Sequence, residues 1–112
     1  MEFSESLKRN RDFKYVYQNG KSLANRYFVM YIVENNQDIN RLGISVSKKV
    51  GNSIVRHRIT RLVRESYRLQ EHIFNSGLDI VVIARNSAAQ IGYAEVKSAI
   101  LHLAKLHHII MK

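Results

Sequence analysis

Lys48-Lys49-Val50-Gly51-Asn52-Ser53-Ile54-Val55-Arg56-His57-Arg58-Ile59-Thr60-Arg61-Leu62-Val63-Arg64-Glu65-Ser66-Tyr67-Arg68 is the stretch on which the reading of this chain turns. It sets seven cationic side chains against one acid, Glu65. Gly51 ends the strand-like pattern before it, and Asn52 or Ser53 supplies an acceptor for the free N–H groups of a helix that starts there. At about 100° per residue, Val55, Ile59, Leu62, Ile73 and Val63 fall on one side of that helix. His57, Thr60, Arg61, Arg64 and Arg68 fall on the other, with Arg56 at the edge. One face is core and the other a cationic ridge.

The ridge works against the helix that carries it. The macrodipole makes the first turns partly positive, so Arg56, Arg58 and Arg61 are each unfavourable there by a few tenths of a kcal/mol. Free N–H groups and planar guanidinium forks together suit phosphate oxygens. The plain alternative is a solvated charged face, but such a face interleaves Glu with Lys, and this one does not.

The whole chain carries the same bias. Eighteen Lys and Arg against nine Asp and Glu give a net charge of +9 over 112 residues, the profile of a polyanion binder. The length suits one domain, 1–112, with a single core. No apolar run approaches the ~20 residues needed to span a bilayer. The amino terminus, with Glu2 and Glu5 ahead of basic residues, lacks a signal-peptide core, so a cytoplasmic location is expected. The absence of cysteine removes disulfides, thiol nucleophiles and thiolate zinc sites. With no proline and five glycines the chain reads as compact, with short connections and no internal repeat.

The pattern predicts a short helix over Asn10–Asn19, from the spacing of Phe13, Val16 and Tyr17, with Gly20 as its stop. Ala24–Glu34 alternates as a strand covered on both faces. Asn35–Asn40 is a polar loop, and Leu42, Ile44 and Val46 alternate with Gly43, Ser45 and Ser47 in a second strand. A hairpin is the economical pairing of those two strands. The basic helix is run to about Asn75, Ser76 and Gly77 break it, and 79–85 is a buried strand. After a loop over 86–92, a closing helix covers Tyr93–Ile109, with Val96, Ile100, Leu103 and Leu106 or His107 inward. This order is an α+β sandwich of helices on a small sheet. Ser45 and Ser47, near Tyr31, make a sheet surface too polar to be covered, so it is expected to line an open groove.

Hydrolysis of a phosphodiester by the protein itself needs clustered carboxylates for metals or a paired acid and base. Glu34, Asp38, Glu65, Glu71, Asp79 and Glu95 are scattered over different elements, and His102, His107 and His108 lack the spacing that puts two ligands on one helix face. His57 reads as a contact residue among the arginines. Phe13, Tyr17 and Tyr31 are candidates for stacking on single-stranded nucleic acid, worth ~1–3 kcal/mol per base. Core packing is the competing reading for Phe13, whereas a phenol needs water or a partner.

Lys48, Lys49, Val50, Gly51 and Asn52, followed by Val55, Arg56, His57, Arg58, Ile59, Arg61, Leu62, Arg64 and Glu65, closely resemble the signature of the bacterial ribonuclease P protein subunit, built on an arginine, asparagine, arginine triplet. Asp12, Phe13, Val16, Gly20, Ser22, Ala24, Asn25, Arg26, Phe28, Val29, Tyr31, Gly43, Ser45, Val46 and Ser47 agree, and the likeness fades after about Ile100. The resemblance implies an accessory to a catalytic RNA that removes the 5′ leader of precursor transfer RNA. It implies that Arg56, His57, Arg58, Arg61 and Arg64 contact the RNA subunit. Phe13, Tyr17, Tyr31, Ser45, Ser47, Lys49, Arg64 and Arg68 would line a cleft for the leader. It also implies Mg²⁺ held mainly by the RNA, no catalytic or metal-ligating residue on the protein, a monomeric protein when alone, and a left-handed strand–helix–strand crossover like that of a ribosomal-protein domain, against the usual rule.

Two positions depart from the family pattern. His57 stands for the central asparagine and is expected to keep the contact with some pH sensitivity; Thr60 replaces a frequent lysine and removes a phosphate partner. A helix-turn-helix DNA binder is disfavoured because a strand, not a helix, precedes Asn52. A ribosomal or other structural RNA-binding protein is the alternative, although ribosomal proteins commonly carry basic extensions and this chain has only 8–11. An independent nuclease lacks its acid or histidine cluster.

Overall fold

Leu78–Ala84 is apolar at every position but Asp79, and a strand of that kind needs cover on both faces. In the computed structural model, which describes Met1 and residues 3–111, it takes the centre of a five-stranded sheet. Glu2 and Lys112 lie outside the described residues. The elements are β1 (Ser4–Ser6), α1 (Asn10–Asn19), β2 (Lys21–Ala24), β3 (Phe28–Glu34), β4 (Asn40–Ser45), α2 (Ser53–Gln70), β5 (Leu78–Ala84) and α3 (Tyr93–Leu106), with short 3₁₀ turns at Glu71–Ile73 and Asn86–Ala88. The sheet order is β1-β4-β5-β3-β2. β5 runs antiparallel to β3 and parallel to β4, so β4, α2 and β5 form a crossover unit.

The expected hairpin between 24–34 and 42–47 is corrected by this order: β5 lies between β3 and β4. A hairpin there would push β5 to an edge, where fewer neighbours cover Ile80, Val81 and Val82, and burying each such side chain fully is worth ~1.5–3 kcal/mol. A hairpin does form one turn earlier. Asn25 Oδ1 accepts the backbone N–H groups of Tyr27 (3.1 Å) and Phe28 (3.0 Å), which folds 24–34 into β2 and β3 rather than one strand. β1, which the sequence pattern did not suggest, adds a parallel edge to β4.

Helices cover the two faces unequally. On one, Ile59, Val63 and Tyr67 of α2 and Val96, Ile100 and Leu103 of α3 pack over Phe28, Met30, Leu42, Ile80 and Val82. On the other, α1 sets Val16 against Val81 and Leu7, with Phe13, Tyr31, Val33 and Ile83 half-buried around them. α2 starts where expected, with Asn52 Oδ1 accepting the Val55 N–H at 3.0 Å. It stops at Gln70, short of Asn75, because Phe74 turns in to meet Tyr67 edge-on at 4.9 Å. α3 stops at Leu106, and His108 takes φ 58°, which returns Ile110 to bridge Phe74. Leu106 is exposed, so the inward residue is His107, whose Nε2 lies 2.8 Å from the Met30 carbonyl. Gly77, at φ +82°, makes the break before β5, a conformation that a Cβ strains.

Buried polar groups tie the layers together. Asn40 donates to the Tyr67 hydroxyl (3.1 Å) and the Asn75 carbonyl (2.7 Å) and accepts from the Leu78 N–H (2.9 Å). Asp79, also buried, holds Arg41 through two bonds of 2.8 and 2.6 Å and accepts from Asn35 at 2.9 Å; that partner raises the Arg41 guanidinium above its ordinary value.

Two measurements check this account. Asn40→Ala leaves a backbone N–H and a carbonyl unpaired, so urea denaturation is expected to show a loss of ~2–4 kcal/mol, against ~1 kcal/mol for Tyr67→Phe. His107 is pushed down from 6.5, first by burial, then by Lys21, against the opposing Met30 hydrogen bond. The unfolded chain therefore protonates first, and stability falls as pH drops below 6.5 towards the lower folded value. His107→Gln is expected to flatten that part of a stability–pH curve; an unchanged slope would assign it to other groups.

Candidate nucleic-acid interface

The α1 side of the sheet is the less covered one, and its register explains why. Gly43, Val81, Tyr31 and Ser22 form one cross-strand row, and Ser45, Ile83, Val29 and Ala24 the next. α1 lies over the first row. A side chain at position 43 would bring its Cβ within 2.7 Å of the Phe13 ring, so Gly43 is what lets Phe13 settle against the sheet. Phe13 and Tyr17 have ring centroids 6.3 Å apart, and Tyr17 meets Tyr31 edge-on at 5.1 Å. Asn10, Phe13, Lys14, Tyr17, Ile44 and Ser45 then border an open trough of about 420 Å³. Burial raises the Tyr17 phenol above its ordinary value, its hydrogen bond with Ser45 pulls the other way, and Tyr31 adds a smaller rise.

Thus Phe13, Tyr17, Tyr31 and Ser45 come together as a stepped aromatic wall with a hydroxyl at its base. Ser47 and Lys49 are exposed in the turn that follows β4, closed by the Val50 N–H on the Ser47 carbonyl at 3.1 Å. That turn delivers the chain to the start of α2.

Arg68 lies elsewhere. Its neighbour Tyr67 bonds Asn40 and Ser4, at the end of β4 opposite Ser45, and fifteen residues of helix separate it from Ser53, roughly 22 Å at 1.5 Å per residue. It pairs with Glu65 at 2.5 Å, which lowers the Glu65 carboxyl. The structure therefore does not bring Arg68 to the trough. Arg64 stands one turn nearer, on the exposed face of α2, which packs on the other side of the sheet from α1.

The ridge on α2 is present as a continuous exposed face. His57, Arg61 and Arg64 are exposed, and Arg56 and Arg58 are half-buried. Among the described residues no ion pair neutralises Arg56, Arg58, Arg61 or Arg64. Arg58 has a second duty, donating to the Ile91 carbonyl at 2.5 Å and so bracing the loop before α3. Thr60 returns its hydroxyl to the Arg56 carbonyl at 2.9 Å and takes no part in the ridge. Ile54, 77% exposed among these cations, adds an apolar knob. Sequence reasoning passed over Asn10, Lys14 and Ile54 as site residues; the i, i+4 steps from Asn10 to Lys14 and Phe13 to Tyr17 are the signal that pairs the first two with the trough.

Among the described residues no three acidic or histidine side chains converge as metal ligands, and no helix is long and apolar enough to cross a membrane.

Comparison with known proteins points one way. The family model described as Ribonuclease P matches residues 1–107. The chain is similar to the "Ribonuclease P protein component" of Lachnoclostridium phytofermentans, 64% identical over 107 residues, covering 96% of this chain and 92% of that one. It is 49% identical over 110 residues to that of Alkaliphilus metalliredigens, covering 98% and 99%. Among solved structures, the RNase P protein of Staphylococcus aureus superposes with a TM-score of 0.87 at 38% identity, covering 94% and 96%. That of Thermotoga maritima gives 0.84 at 37% identity, covering 91% and 96%.

Because Arg58 braces a loop and Arg61 makes no hydrogen bond or ion pair among the described residues, the two alanine variants are expected to part in a thermal melt. Arg61→Ala should stay within ~0.5 kcal/mol of the parent, as surface changes do, while Arg58→Ala loses ~1.5–3 kcal/mol with a charged hydrogen bond. Equal melting temperatures would remove the bracing role.

Proposed function

The chain belongs to the ribonuclease P protein family, and from that premise we propose how it divides its two surfaces between two RNAs. As a ribonuclease P protein component it acts in transfer RNA processing within the ribonuclease P complex, and the ribonuclease P RNA is its partner. In our reading the RNA does the chemistry. The protein works as a monomer that grips the RNA subunit with Arg56, His57, Arg58, Arg61 and Arg64, and it draws the 5′ leader of precursor transfer RNA along the trough.

The observation that supports this division is the trough itself: an aromatic wall of Phe13, Tyr17 and Tyr31 with Ser45 at its base, leading into Ser47 and Lys49. Rings on which unpaired bases stack, beside cations that follow the phosphates, are the composition of a single-strand site. Arg64 can serve either surface. Arg68, held by Glu65 at the far end of β4, is assigned to general attraction rather than to the leader. Mg²⁺ is placed with the RNA phosphates; the protein's part is to lower the electrostatic cost of packing RNA strands around those ions. A protein whose only role is structural would have no use for an open aromatic trough.

Purified protein in Mg²⁺ is expected to leave precursor transfer RNA intact, and to raise its cleavage by the RNA subunit at low Mg²⁺. Cleavage by the protein alone would overturn the division of labour. Phe13→Ala with Tyr17→Ala should weaken binding of leader-bearing precursor by about tenfold or more, from the ~1–3 kcal/mol of each stacked base, and leave mature transfer RNA unaffected. Arg68→Ala should weaken both slightly and equally. Leader affinity should fall with log salt at ~0.7 per phosphate neutralised; a flat line would exclude phosphate contacts.

A further inference from the structure

A second concavity lies on the α3 side of the sheet, at the β2–β3 turn. It has a volume of about 500 Å³ and is lined by Asn25, Arg26, Tyr27, Ala94, Glu95, Ser98, Ala99 and His102. That is the size and make-up of a small-molecule site, an apolar floor with a few fixed polar groups. None of its residues belongs to the ridge or the trough.

The polar groups are held in defined states. Asn25 Oδ1 accepts two backbone N–H groups and its Nδ2 donates to the Ala99 carbonyl at 2.9 Å, so the amide cannot turn over. Nδ2 also lies 3.2 Å from His102 Nδ1. Since Nδ2 is a donor, Nδ1 accepts, and the neutral ring carries its proton on Nε2, a donor left for a ligand. Glu95 Oε1 accepts the Gly92 N–H at 3.2 Å, leaving Oε2 as an acceptor. The Arg26 guanidinium sits 5.3 Å above the Tyr27 ring and makes no ion pair among the described residues. Arg85 clamps the Asn25 carbonyl at 2.7 Å and adds a second cation beside the turn.

We propose that this pocket takes one unpaired nucleotide of a bound RNA, its base stacked on Arg26 and Tyr27 and its edge read by Glu95 and His102. Stacking on guanidinium planes and aromatic rings is how unpaired bases are held. Because Glu95 and His102 stand two turns apart on α3, roughly 10 Å at 1.5 Å per residue, the base must offer an amino donor to Glu95 and, across the ring, an acceptor to His102. Adenine and cytosine present that pair, whereas uracil has a carbonyl in place of the amino group. Two arginines supply the charge complementarity for the strand's phosphates. The inference rests on the RNA-binding reading above and concerns a surface that reading does not use.

Amide chemical shifts of the full chain, followed during titration with adenosine, cytidine and uridine monophosphates and with inorganic phosphate, test it. Saturable shifts at Asn25, Tyr27, Ser98 and His102 with the adenosine and cytidine nucleotides, about tenfold weaker with uridine and absent with phosphate, are expected. Ser98→Trp, at an exposed position on the rim, should abolish them, and Glu95→Gln should erase the preference over uridine while its amide still caps α3. Shifts confined to Asn10, Phe13 and Ser45, or unaffected by Ser98→Trp, would overturn the site. Single-stranded pentaadenylate should bind at least tenfold tighter than the mononucleotide by the shifts of these same residues. Equal affinity would give the pocket to free nucleotides and overturn the RNA assignment. A parent protein that fails to stimulate the RNA subunit would instead count against the processing role, a separate readout from this titration.

Discussion

β5 is apolar on both faces, and the need to bury both is the constraint from which the architecture follows. A strand with two apolar faces belongs in the middle of a sheet with helices on each side. Here it is flanked by β4 and β3, with α2 and α3 over Ile80 and Val82 and α1 over Val81. Because β4 and β5 are parallel, a tight turn cannot join them. The connection must travel the length of the sheet, and α2 is that connection. The basic helix is therefore a structural necessity of the crossover as well as the carrier of the charge.

The same arrangement keeps the two candidate RNA surfaces apart. α2 presents its cations outward on one face, while α1 leaves the second cross-strand row of the opposite face uncovered. The turn over 46–52 joins them, and its exposed Ser47, Lys48 and Lys49 link trough to ridge. Rigidity comes from the Asp79–Arg41 pair under α1, the Asn40–Tyr67–Ser4 chain at the far end, and the Arg58–Ile91 bond between α2 and the loop before α3. A binding surface gains precision from being built on elements so fastened.

Charge here acts at short range and long range in different ways. Arg41, Arg58, Arg68 and Arg85 are committed to partners within the protein, so they contribute to the overall field more than to any one contact. Arg61 and Arg64, with His57, form no ion pair among the described residues. The net charge of +9 steers polyanions toward the molecule, and the ridge is where that charge is most concentrated.

Local chemistry was legible in the chain. The Asn52 cap, the apolar and cationic faces of α2, the limits of α1 and the family signature from Lys48 to Glu65 all depend on neighbours within a few residues. The same holds for the small polar face of β4, which marked Ser45 as a trough residue; Ser47, marked with it, lies in the turn that follows. Pairing was not legible, because a strand's partner is set by which arrangement buries the most apolar surface, and that sum runs over the whole chain. So β5 between β3 and β4, the split of 24–34 by the Asn25 turn, and the edge strand β1 appear only in three dimensions. Gly43 beneath Phe13, Arg68 at the end of α2 away from the trough, and the pocket between Asn25 and His102 join residues far apart in sequence. Periodicity assigns a residue to a face of its own element; only packing decides what that face meets.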